Sequence, residues 1–264
     1  MFCVLDVKKR KRKLFAKNPP YKAMKVVIPK TAVFERLTVY SYGKRTDYRA
    51  VKEHLKAFSK SVILCQDSVL PVESGIFEFS SADLKAYMTF NSLERLLDGI
   101  KEKRRISLVI ADRTGDYSSF LERAVLLAGR VTVLTDNKMR YCFTADEIYE
   151  TYGAVISIQP FSSKMPECDV FISLSNSGVF PLSVCVKNRA EGGYIRLTGS
   201  DFTLPESIKR FMPSTVNPYA FASALFTLSN VRALGKMGFD SFNIGSRRIT
   251  AETAVKMLDT LLKF

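Results

Sequence analysis

LVIADRTGDYSSF, residues 108–120, runs from apolar residues through one glycine into a helical pattern. Its upstream part, ISLVIAD (106–112), is apolar at nearly every position, as a strand buried on both faces of a parallel sheet is. SSFLERAVLLAG (118–129) then reads as a helix. Ser119 and Glu122 have capping-box spacing, and Gly129 is a C-terminal stop. RVTVLTD (130–136) is the next strand. Thr144 and Glu147 repeat the capping-box spacing ahead of a helix through IYETY to Gly153. AVISIQ (154–159), CDVFISLS (168–175) and GYIRLTG (193–199) continue the strands, with FMPSTV (211–216) as a sixth. Asn217 caps a long helix with Pro218 at its first position, and TAETAVKMLDTLLKF (250–264) closes the chain as a helix. Strand and helix alternating through short turns predict an α/β fold with a doubly wound, mostly parallel sheet.

Upstream, KNPPYK (17–22) is a stiff connector. MKVVIP (24–29), LTVYSY (37–42) and SVILC (61–65) read as short strands. RTDYRAVKEHLKAF (45–58) is amphipathic, with Tyr48, Val51, Leu55 and Phe58 at helical spacing. Asn91 and Glu94 form a capping pair ahead of SLERLLDGIKEKRR. That helix ends in Lys101, Lys103, Arg104 and Arg105, which complement its C-terminal dipole. The expected domains are therefore a basic α/β domain over 1–104, a sheet domain over 105–248 and a terminal helix over 249–264.

The 264 residues are 47% apolar and 25% charged, an ordinary globular balance. No apolar run approaches membrane-spanning length, and MFCVLDVKKRKRK places its charges after its apolar part, the reverse of a signal peptide. Cys3, Cys65, Cys142, Cys168 and Cys185 are scattered and odd in number, which fits reduced thiols in a cytoplasmic protein. His54 is the single histidine. It excludes a multi-histidine metal site, and no cysteine spacing suits zinc. The net charge of +14 is concentrated: residues 1–60 hold 17 Lys/Arg against 4 Asp/Glu, and the remainder 23 against 22. The densest block, Lys8–Lys13, stays in solvent, as the tip of a hairpin between MFCVLDV and LFAKN, or meets a polyanion such as nucleic acid.

In a doubly wound sheet the ligand crevice lies outside the carboxyl ends of the strands, where the winding reverses. This places Asp112, Arg113, Thr114 and Gly115 in one turn, and Ser175, Asn176 and Ser177 in another. Asp136 closes the second strand, 21 residues beyond Gly115, where a dinucleotide site carries its ribose-binding acid. These eight residues are the candidate cofactor site, and no catalytic residue is assignable.

The layout resembles the Rossmann-like domain of two-domain dehydrogenases, most closely the shikimate dehydrogenase family. The shared features are a small α/β domain, a linker helix, a nucleotide domain and a terminal helix returning toward the first domain. DVFISLSNSG resembles that family's fourth strand and loop, and Asn91 in NSLERLLDGI matches one position of its Asn-Thr-Asp segment. The resemblance implies NAD(P) and a ligand cleft between domains. Gly115, however, stands alone where the family carries G-x-G-x-x-G or G-x-G-x-x-A, with Asp112 and Asp116 flanking it. One carboxylate about 5 Å from a phosphate charge costs roughly 3 kcal/mol at an effective dielectric of 20. A helix N-terminus returns only about 0.3–1 kcal/mol. VIADRTGDYSSFLERAVLLAGRVTVLTD also resembles the first motif of S-adenosylmethionine methyltransferases, whose acidic turn faces a cationic cofactor. Those enzymes usually end in an antiparallel hairpin, whereas this chain reads as ending in helices.

Three functions remain open at this point. One is a divergent or inactive relative of NAD(P)-dependent dehydrogenases. Another is an S-adenosylmethionine-dependent methyltransferase. The third is a non-enzymatic protein that contacts a polyanion through residues 1–60.

Overall fold

The computed structural model describes residues 1–11, 19–42, 48–56, 61–70, 72–162, 164–175 and 179–263. They divide into two compact units: 1–84 with 204–235, and 85–203 with 236–264.

The first unit is built on a four-stranded sheet ordered β2-β3-β1-β4. Its strands are β1 (Cys3–Lys9), β2 (Tyr21–Ile28), β3 (Ala32–Ser41) and β4 (Val62–Leu64). β1 lies between β3 and β4, parallel to both, so its residues 3–6 are buried on both faces. Helix α1 (Tyr48–His54) lies between β3 and β4 in the chain, and its Val51 joins Leu5, Leu37, Val39 and Val62 in the core. His54 is half-buried and its Nε2 lies 2.7 Å from Glu35 Oε1. β1 is flanked by β3 along its length and by β4 at Cys3–Leu5; LFAKN, and with it the expected hairpin, lies outside the described residues. Lys8 pairs with Asp6 at 3.3 Å, and Arg10 lies over the Tyr40 ring.

Residues 204–235, expected in the sheet domain, belong to the first unit. FMPSTV is not a strand; only Val216 makes an isolated bridge, to Cys65. After α5 (Glu206–Lys209), α6 (Pro218–Leu228) is capped as expected, Asn217 Oδ1 accepting from the Tyr219 and Ala220 amides. α6 is tied to this unit by Phe221, whose ring meets Phe2 and Phe34 edge-on. Such aromatic pairs add to the stabilisation from burial.

The second unit holds an eight-stranded sheet ordered β12-β11-β10-β9-β8-β5-β6-β7. Four strands are parallel: β5 (Ser107–Ala111), β6 (Arg130–Leu134), β7 (Ile156–Gln159) and β8 (Val170–Ser173). Their order, with β5 between β6 and β8, is Rossmann-like. The sheet continues antiparallel through β9 (Ser183–Lys187), β10 (Tyr194–Asp201), β11 (Ser241–Ile244) and β12 (Arg247–Thr250). The protein is thus α/β with a mixed sheet, and the parallel strands expected beyond β8 are an antiparallel meander. The connection from β7 to β8 carries no helix among its described residues. Phe161, Met165 and Phe180 pack instead against Val109, Ala111, Leu134 and Phe171 on that face.

The helices differ from expectation at their starts. α2 spans Asp83–Leu97, so Asn91 is internal to it. Its buried side chain donates to the Met237 carbonyl at 2.6 Å and accepts from Arg123 at 2.7 Å. The basic residues 101–105 lie beyond the helix end, in and before a 3-10 turn. The helix expected over 118–129 is a 3-10 turn at 118–120 followed by α3 (Leu121–Ala124), neither with a side-chain cap. Gly129 does not close a long helix; it lets the chain press on residue 104, where a Cβ would fall 1.9 Å from the Arg104 carbonyl oxygen. α4 (Lys138–Tyr152) begins well before Thr144 and ends at Gly153 as expected. α7 (Ala251–Leu261) packs on β9, β11 and β12 within the second unit. Its C-terminal end, with Asp259 and Leu262, lines one concavity together with residues 99–102.

Candidate functional site

β5, β6 and β8 end in register at Ala111, Leu134 and Ser173. Beyond these ends the turn at 112–117, the segment 135–137 and the start of the 174–180 loop come together. This is where the crevice of such a sheet lies, and β5 and β8 are neighbours in the sheet although β6 and β7 separate them in the chain.

The turn is held from within by Asp112, whose side chain is fully buried. Its Oδ1 accepts from the Gly115 amide at 3.2 Å and from Thr114 Oγ1 at 3.3 Å. Its Oδ2 accepts from the Tyr117 amide at 2.9 Å and from the buried Tyr141 hydroxyl at 2.8 Å. Burial, reinforced by the charge of Asp112, pushes the Tyr141 phenol well above its ordinary pKa, so it stays a donor. Gly115 adopts φ 77°, and a Cβ there would lie 3.1 Å from Asn137 Cβ. A side chain at this position would be both strained and crowded.

Arg113 and Asp136 sit at the surface of the crevice. Their side chains are each 52% exposed, and Arg113 Nε donates to Asp136 Oδ2 at 2.8 Å. The guanidinium also lies 5.6 Å from the Phe161 ring centre. The Arg113 amide donates to Ser175 Oγ at 3.2 Å. Asn137 Nδ2 donates to the Thr114 carbonyl at 3.3 Å, and Arg140 pairs with Asp116. Ser173 Oγ donates to the carbonyls of Ser175 and Phe180, anchoring the loop at both ends. Asn176 and Ser177 lie outside the described residues.

Asp112, Arg113, Thr114, Gly115, Asp136 and Ser175 are therefore brought together, in two distinct roles. Asp112 occupies the Gly115 and Tyr117 amides, the donors that a helix start would offer to a phosphate. Arg113, Asp136 and Ser175 remain at the surface. Tyr141, Asn137 and Phe161 were not anticipated. Tyr141 carried one usable signal, its seven-residue spacing from Ile148 on the buried stripe of α4.

No family model and no curated protein matches this chain. Among solved structures it is similar to L-tryptophan dehydrogenase from Nostoc punctiforme, with a TM-score of 0.29 and 12% identity, covering 86% of this chain and 68% of that one.

Proposed function

We propose that this is a Rossmann-like ligand-binding protein, a divergent relative of NAD(P)-dependent dehydrogenases that has lost the pyrophosphate cradle. Its crevice takes a nucleoside with at most one phosphate. The observation that carries this reading is the division of roles in the turn. The buried carboxylate of Asp112 already fills the place of a bound anion at the Gly115 and Tyr117 amides. Arg113, Asp136 and the Ser175 hydroxyl remain for a ribose and a single charge. An exposed ion pair such as Arg113–Asp136 contributes only about 0–1 kcal/mol, so a ligand opens it at little cost.

Calorimetric titration with adenosine, AMP, NAD, NADP and S-adenosylmethionine tests the proposal. The expected result is heat with AMP, weaker heat with the dinucleotides, and loss of the AMP response in Arg113→Ala. NAD or NADP binding tighter than AMP refutes the lost cradle. Heat with S-adenosylmethionine alone replaces the reading with a methyltransferase, and silence from all five ends it.

A further inference from the structure

We infer a second binding site in the same unit, one that takes a small monocarboxylic acid with an apolar body. The sheet supplies its floor. Phe171, Cys185 and Arg196 are directly opposite one another across β8, β9 and β10, and residues paired in this way project from the same face. Over that floor lies a concave pocket of 440 Å³, walled by Met165, Phe180, Pro181 and Tyr194 and reaching Gly245 in the β11–β12 turn. This volume falls within the roughly 300–1,000 Å³ typical of small-molecule sites.

The pocket exists because the described residues of the β7–β8 connection place loop side chains on this face, with no helix among them. Phe180 packs edge-on to Phe171, with ring centres 4.9 Å apart, and to Phe161, 6.1 Å away. Tyr194 is held by its hydroxyl, which donates to the Cys168 carbonyl at 2.9 Å and accepts from the Cys168 amide at 3.0 Å. Its ring is therefore a fixed wall, and its hydroxyl is already engaged. The thiol of Cys185 is buried and adds apolar surface.

Arg196 sets the chemistry. It lines the pocket and is exposed, and among the described residues its guanidinium has no carboxylate or aromatic partner. An aromatic and aliphatic enclosure with one unpaired, always-charged fork at its margin matches a carboxylate on an apolar body. The body itself is an aryl group or a short alkyl chain. This site is independent of the nucleotide reading, because none of its lining residues belongs to the Arg113–Asp136–Ser175 set.

Calorimetry with phenylacetate, octanoate, phenylacetamide and acetate, on the whole chain, tests it. Phenylacetate or octanoate binds, and the tighter of the two identifies the body. Phenylacetamide and acetate bind at least about tenfold more weakly, since one lacks the charge and the other the apolar surface. Arg196→Met lowers affinity for the acids by about tenfold or more, while Arg130→Met, an exposed arginine on β6, leaves it unchanged. Far-UV circular dichroism confirms that both variants fold. No heat from either acid, phenylacetamide binding as tightly as phenylacetate, or undiminished binding by Arg196→Met each overturns the inference.

Discussion

Replacing Asp112 by alanine removes the acceptor from a buried turn without touching the donors around it. The Tyr117 amide at 2.9 Å and the Tyr141 hydroxyl at 2.8 Å lose this acceptor, while Gly115 keeps a longer contact to the Asp112 carbonyl at 3.3 Å. Each buried donor left unsatisfied costs about 1–3 kcal/mol, so the expected loss from the two is about 2–6 kcal/mol. Tyr141→Phe in the native background removes one bond to a charged group, a loss of about 1.5–3 kcal/mol. In the Asp112→Ala background the same change deletes an orphaned hydroxyl and is nearly neutral. The two substitutions therefore couple by about 1.5–3 kcal/mol. Urea denaturation followed by tyrosine fluorescence measures the cycle, since the chain has 11 tyrosines and no tryptophan. Amide exchange at Tyr117 reports the turn locally. Additive costs, or an Asp112→Ala loss below about 0.5 kcal/mol, refute the inward carboxylate as the element holding the turn.

Gly129→Ala forces a methyl against the Arg104 backbone, where the Cβ position lies 1.9 Å from a carbonyl oxygen. Urea melts should show a loss of about 2–3 kcal/mol, and a neutral result contradicts the close approach. Burial of Asp169 works against its charge, but the Ser107 amide and hydroxyl and the Arg189 guanidinium outweigh it and hold the carboxyl below the ordinary aspartate value. Because the folded pKa is the lower one, its stabilisation is present above the unfolded pKa and lost as pH falls through the folded value. Asp169→Asn should flatten stability measured against pH on the acid side, and an unchanged slope removes Asp169 from that role. Burial pushes the thiols of Cys3 and Cys168 up to about 12, whereas Cys142 is only half-buried. A disulfide reagent near neutral pH should therefore show one fast thiol, abolished by Cys142→Ser; persistence of the fast phase points elsewhere. Asn217→Ala should cost about 1 kcal/mol in thermal or urea unfolding, the ordinary loss of a helix cap.

The parallel strands were legible because each is an apolar run bounded by turn residues, and Asn217-Pro218 was legible because its capping partners are two and three residues away. The capping boxes at Ser119, Thr144 and Asn91 misled because spacing alone does not fix where an element starts: α4 begins at Lys138 and α2 at Asp83, and the turn before α3 is held by a carboxylate further upstream. Asp112 reaches the Tyr117 amide from the end of the preceding strand, and Asn91 meets Met237 and Arg123 across long sequence separations. Gly245-Ser246 between SFNI and RRIT is a two-residue hairpin signal that the expectation of terminal helices passed over. At the site, the position of the turn followed from strand order. The inward direction of Asp112 did not, because it depends on a tyrosine 29 residues downstream.

The interleaving of the two units sets the order in which a nascent chain can complete them. The ring that packs on both Phe2 and Phe34, Phe221, leaves the ribosome nearly two hundred residues after the later of them. The second unit likewise waits for β11, β12 and α7. Domains usually fold in turn from the N-terminus during synthesis. Here the first unit cannot close before residues 204–235 emerge, nor the second before 236–264, so both hold unfinished apolar faces at the same time.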